Sequence, residues 1–114
     1  MRKVVASSFL SLDGVAEQPD EFVTDGDEVL DEYGARTIAT LDTVLLGRRT
    51  CDEWARFWPT SDIEPFASFT NDVEKFVVTS TTPDVAWANT TVIGGDLRTF
   101  IAELKRRPGA DIGV

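Results

Sequence analysis

Apolar and polar positions follow two different periods along the chain. Residues 3–12 place Val4, Val5, Ala6, Phe9 and Leu10 around small serines and predict a buried first strand that turns at Asp13-Gly14. Residues 17–27 are acidic, contain Pro19 and show no period, which assigns a loop. From about Asp27 to Thr40 the pattern is helical: Leu30, Tyr33, Thr37 and Leu41 recur at 3-4-4 spacing and direct one largely apolar stripe toward a core. Asp25, Asp27 and Glu28 suit the first turn, where carboxylates interact favourably with the helix dipole.

Residues 43–46 form a short apolar strand bounded by Asp42 and Gly47. The stretch Leu45-Leu46-Gly47-Arg48-Arg49-Thr50 then runs from strand through a glycine turn into a helix, and Thr50-Cys51-Asp52-Glu53 has the spacing of a capping box at its start. Trp54, Phe57 and Trp58 are its packing residues, and the helix stops before Pro59. Residues 62–70 predict a further short helix carrying Phe66 and Phe69.

Lys75-Phe76-Val77-Val78 is a β-prone run ending in the hydroxyl cluster Thr79-Ser80-Thr81-Thr82, and residues 90–93 make another strand. Gly94-Gly95-Asp96 leads into a helix with the stripe Leu97, Phe100, Ile101 and Leu104 and with Asp96 as N-cap. Lys105-Arg106-Arg107 suits its negative end, Pro108-Gly109 terminates it, and residues 110–114 begin a last strand. Strands alternating with helices through short glycine turns predict one α/β domain over residues 1–114, a mostly parallel central sheet flanked by helices.

Composition narrows the function classes. A chain of 114 residues that is 42% hydrophobic and 27% charged suits one soluble domain with a real core, and no apolar run approaches the roughly 20 residues of a membrane span. Met1-Arg2-Lys3 followed by Val4-Val5-Ala6 imitates a signal peptide, but Ser7, Ser8, Ser11 and Asp13 interrupt it. The single cysteine, Cys51, permits no internal disulfide, so a reducing cytoplasm is the expected setting. With no histidine there is no Ser-His-Asp triad and no conventional zinc site, and proton transfer falls to carboxylate, tyrosine, lysine or water. A net charge of −9 opposes nucleic-acid binding. The acids crowd residues 13–32, where Asp27/Asp31 and Glu28/Glu32 read as a solvated helix face rather than a metal site.

Against that acidic background the paired arginines at Gly47-Arg48-Arg49 invite an anion. A glycine admits close approach of a ligand to the backbone, and a helix start offers unpaired amides and partial positive charge. The bland alternative is a tight turn with solvated arginines. In a parallel sheet ligands bind at the carboxyl ends of strands, and Asp13-Gly14, residues 47–50 and residues 79–81 all follow strands.

Ser11-Leu12-Asp13-Gly14, Leu46-Gly47-Arg48-Arg49-Thr50 and Val77-Val78-Thr79-Ser80-Thr81, with Pro108-Gly109-Ala110-Asp111-Ile112 after a basic helix end, resemble in order and spacing the dihydrofolate reductase-like superfamily. The branch most similar is the C-terminal reductase domain of riboflavin biosynthesis proteins. The resemblance implies NADPH as cofactor, with Gly47, Arg48, Arg49 and Thr50 at its phosphates and Thr79 and Ser80 near the adenosine 2′-phosphate. It places Asp13 and Gly14 near nicotinamide or substrate, with Asp13 as the orienting or proton-handling carboxylate. It implies a reductase of a small heterocyclic substrate. A nucleotide-binding module without turnover and a domain with no ligand are the competing functions.

The chain departs from that branch at Cys51, where relatives carry an aromatic residue, and at Gly94-Gly95, which is assigned a helix-start role only. Relatives also continue past Val114 with a glycine-rich turn and further strands, so the resemblance implies a dihydrofolate reductase-like sheet missing its last strands. The 3–12 strand would then have an unpaired outer edge, which favours a homodimer or other self-association.

Overall fold

A computed structural model describes residues 2–8, 12–14 and 28–114. Five strands, β1 (Val4–Val5), β2 (Leu41–Gly47), β3 (Glu74–Val78), β4 (Thr90–Ile93) and β5 (Asp111–Gly113), form one sheet in the order β1-β5-β2-β3-β4, and every pairing is parallel. Among the described residues four α-helices accompany it, α1 (Glu28–Ala39), α2 (Arg48–Phe57), α3 (Phe66–Asp72) and α4 (Leu97–Arg106), with a short 3-10 helix at Trp58–Thr60. The predicted α/β class is the observed one. No helix among the described residues is long and apolar enough to cross a membrane.

The central strands are apolar on both faces because helices cover both. Side chains alternate across the pleat, so Val44 and Leu46 pack with Cys51, Val73 and Val77 beneath Trp54 of α2 and Phe69 of α3. Leu45 points the other way, onto Phe76, Leu104 and Ile112, with Phe100 and Ile101 of α4 against them. Leu45 pairs with Phe76 and Leu46 with Val77, so in-register strands present matched apolar rows to each layer. Fully burying one such side chain contributes about 1.5–3 kcal/mol.

Several boundaries and faces differ from the sequence pattern. Among the described residues the first strand covers Val4–Val5, and Val4 is exposed because β1 sits at the sheet edge, paired to β5. Phe9, Leu10 and the 17–27 loop lie outside the described residues. β2 begins at Leu41 rather than residue 43 and so includes Asp42. Helix α1 forms almost where predicted, but its Leu30-Tyr33 stripe does not enter a core: the helix has no buried residue, and Leu30 and Tyr33 are exposed. Its half-buried positions are Gly34, Ala35, Thr37 and Ile38. The reason is steric, since a Cβ at Gly34 would come within 3.0 Å of the Phe66 ring, so α1 approaches α3 through its small residues.

Two buried cations hold the amino-terminal side of the sheet. Arg2, 8% exposed, donates from Nε to the Ala110 carbonyl at 2.7 Å, from Nη1 to the Leu104 carbonyl at 3.0 Å and from Nη2 to Thr43 Oγ1 at 2.8 Å. Its Nη2 also donates to the Asp42 carboxylate, which accepts from the Ala110 amide at 2.8 Å. Burial alone would raise the Asp42 pKa, but the Ala110 amide, the Thr43 hydroxyl and the Arg2 guanidinium together hold it below its ordinary value. Lys75, 1% exposed, turns from β3 under α3 and donates to the carbonyls of Thr70 at 2.7 Å, Asn71 at 3.2 Å and Val73 at 3.1 Å. It thereby satisfies carbonyls at the end of α3, and its Nζ lies 4.2 Å from the centre of the Trp87 ring.

Candidate functional site at the carboxyl edge of the sheet

Parallel pairing gathers the carboxyl ends of the strands on one edge. Gly47 pairs with Val78 and Val78 with Ile93, so the turns after β2, β3 and β4 start side by side. The Thr79 amide donates to the Ile93 carbonyl at 3.2 Å, and a Cβ at Gly94 would lie 3.6 Å from the Thr79 carbonyl oxygen. Asp96 caps α4 by accepting from the Arg98 amide at 3.0 Å, the helix-start role predicted for that turn.

Helix α2 starts two residues before the predicted capping box. Gly47 is the N-cap, in ordinary extended backbone at φ −77 and ψ 164, and has no side chain to occupy the first amides. Thr50 lies inside the first turn, and Glu53 bonds to Arg49 Nε at 3.3 Å rather than reaching back to Thr50. The capping box fails because Arg48 and Arg49 are good helix formers and join the helix themselves. A Cβ at Gly47 would meet nothing within 4 Å, so the backbone there is open.

The two arginines have different partners. Arg48 donates from Nη1 to Thr81 Oγ1 at 2.9 Å and from Nη2 to Asp84 Oδ1 at 2.8 Å, and its Nε lies 3.5 Å from Asp52 Oδ2. Asp52, 7% exposed, accepts the Asp84 amide on Oδ1 at 2.9 Å and so ties the segment after β3 to α2. Arg56 Nη2 approaches the other Asp84 oxygen at 4.0 Å. Arg49 is exposed beside Glu53. Thr79 Oγ1 accepts from the Thr81 amide at 3.1 Å and lies 3.2 Å from Thr81 Oγ1, while Ser80 is exposed.

The structure therefore brings Gly47, Arg48 and Thr79 together with Thr81, across more than thirty residues of chain. Asp13 and Gly14 occupy an exposed turn, where Gly14 takes φ +91, a left-handed conformation that favours glycine. Asp13 is not among the partners of Arg48. Arg56 and Asp84 were not singled out by sequence pattern. The 4-4 spacing of Arg48, Asp52 and Arg56 on one helical face was the available signal. Asp84 follows Pro83 in a loop, and only the fold puts it opposite that face.

Cys51 is fully buried between β2 and α2, and burial, reinforced by the Asp52 charge, pushes its thiol above 9.0. It is a packing residue rather than a nucleophile. Two clefts of about 300 and 410 Å³ lie at the opposite edge, lined in part by Asp72 and Glu74. Those carboxylates repel an anion, whereas the carboxyl edge offers open amides and guanidinium groups. Among the described residues no group of three or more His, Cys, Asp or Glu side chains could hold a metal ion. No protein-family model matches the chain, and a search of curated proteins finds no match either.

Proposed function

We propose that the carboxyl edge of this sheet binds NADPH and that the chain is an NADPH-dependent reductase of a small pterin- or pyrimidine-like heterocycle, as in the dihydrofolate reductase-like proteins its motifs resemble. The observation that supports this most is the pairing of Gly47 with Val78, which sets the open Gly47-Arg48 helix start beside the hydroxyls of Thr79 and Thr81. The amides at residues 48–50, with Arg48 and Arg49, suit a diphosphate, because uncapped amides and guanidinium groups both favour anionic oxygens. Thr79 and Ser80, at the end of the neighbouring strand, suit the 2′-phosphate. Asp13 and Gly14 are assigned to the substrate end, Asp13 orienting the heterocycle. The cofactor would supply the hydride; the protein would orient it and exclude competing reactions. The exposed β1 edge is assigned to strand addition by a second copy, visible as a doubled mass in light scattering.

One observation favours a second assignment, nucleotide binding without turnover. The groups the fold gathers at this edge, Arg48, Thr79, Thr81 and Asp84, are ion-pairing and hydrogen-bonding groups suited to holding an anion. Titration of NADPH against NADH separates the possibilities. Binding of NADPH in preference to NADH, weakened in Arg48→Ala and Arg49→Ala, supports both assignments, and substrate-dependent oxidation of NADPH then singles out the reductase. If neither nucleotide binds at millimolar concentration, both assignments fail.

A further inference from the structure

The Arg48 cluster contains an anion of its own. Asp84 presents one carboxylate oxygen to Arg48 Nη2 at 2.8 Å and the other to Arg56 Nη2 at 4.0 Å, so it bridges two cations on one face of α2, eight residues apart. Its backbone is fixed separately, through the hydrogen bond that its amide donates to buried Asp52. The side chain is 59% exposed, so it reaches the arginines from the solvent side, where an incoming anion would arrive. A carboxylate and a phosphate make the same charge-assisted bonds to a guanidinium, and they compete for the same donors. Asp52, by contrast, is 10% exposed at its side chain and meets Arg48 from within the helix. It remains as the counter-charge when Asp84 leaves.

We infer that Asp84 is a built-in competitor for a phosphate-bearing ligand: its carboxylate occupies the Arg48–Arg56 pair in the free protein and must swing away for an anion to bind, making Arg56 a second phosphate-binding cation. The inference rests on the nucleotide site proposed above and adds its regulation. Displacement leaves the Asp84 amide on Asp52, so only the side chain has to move. An exposed ion pair of this kind is worth about 0.2–1 kcal/mol, which converts to roughly a 1.4- to 5-fold cost in affinity.

The test uses Asp84→Asn, which keeps the backbone amide and the side-chain shape while removing the charge. Calorimetric titrations of inorganic pyrophosphate and of NADPH are compared at low salt for the wild type, Asp84→Asn and the double variant Asp84→Asn/Arg56→Gln. Tighter pyrophosphate binding by about 1.4- to 5-fold in Asp84→Asn, lost again in the double variant, is the expected result. Equal affinity of wild type and Asp84→Asn overturns the competitor role. Retention of the gain in the double variant overturns the assignment of Arg56. If pyrophosphate shows the gain while NADPH binds none of the proteins, the competitor stands and the dinucleotide assignment fails. If no anion binds any of the three, both are wrong.

Discussion

Lys75 makes stability depend on pH in the direction opposite to a lysine held by an acidic partner. Its ammonium is buried under α3, and burial lowers its pKa from 10.5 to about 8, although Asp72 pulls the value back up. Below about pH 8 the folded and unfolded chains both carry the proton, so the cost of burying the charge is fully present. Between about 8 and 10.5 the folded chain has released the proton and the unfolded chain still holds it, so stability rises with pH. At about 1.4 kcal/mol per pH unit the full gain approaches about 3 kcal/mol. Cys51 works against it: a thiol held above 9.0 keeps its proton in the folded chain while the unfolded chain ionises, and stability falls there. Lys75→Met removes the lysine while both proteins retain Cys51, on whose thiol the Lys75 charge is the weakest influence after burial and Asp52. Urea denaturation followed by tryptophan fluorescence, repeated from about pH 7 to 11, should show the wild type gaining up to about 3 kcal/mol relative to Lys75→Met. A difference that stays flat or falls over that range would refute the buried-charge account.

Gly109→Ala should destabilise the fold by about 1–3 kcal/mol, read as a lowered thermal midpoint, because its Cβ would fall 2.6 Å from Asp42 Oδ2 and 3.0 Å from Arg2 Cζ. Gly47→Ala differs: with φ −77 and open space the unfolded-chain entropy gain offsets alanine's poorer N-cap preference, so stability should change by less than about 1 kcal/mol, while nucleotide titration should weaken. A larger loss of stability, or unchanged binding, would contradict an open anion approach. Asp42→Asn should cost about 2 kcal/mol in denaturant titration at neutral pH, because Arg2 loses its charged partner but keeps its other acceptors. The Asp42 pKa is depressed in the folded chain, so its contribution is present above the ordinary value of 3.8 and is lost as the pH falls through the lower folded value. The difference between wild type and Asp42→Asn should therefore shrink in acid.

Strands and helices were legible where one local cause dominated. The β3 run, the Thr90–Ile93 strand and the Asp96 cap all follow from apolar period or turn chemistry within a few residues, and all are found. The start of α2 was misplaced because two local signals conflicted. A capping box argued for Thr50, whereas the helix-forming arginines and the extended Gly47 placed the boundary at Arg48. The α1 stripe misled for another reason: period identifies a face but not its partner, and the Phe66 ring selected Gly34 over Leu30 and Tyr33. In the sequence Lys75 is only the first residue of the β-prone run Lys75-Phe76-Val77-Val78. Its burial became visible only once the turn from α3 into β3 put three carbonyls within its reach.

Local pattern was enough for the α/β alternation, the apolar strands and the glycine turn with its arginines, because these depend on neighbours within a turn or two of chain. The strand order, with β5 inserted between β1 and β2, and the meeting of Arg48 with Thr81 and Asp84 arise only when the chain packs. Parallel strands are joined through crossovers, so the residues that meet at their carboxyl ends are distant in sequence and leave no local period to read. The same topology turned two cations on one helix face into a pair bridged by a loop carboxylate, a relationship that spacing along α2 suggested only in part.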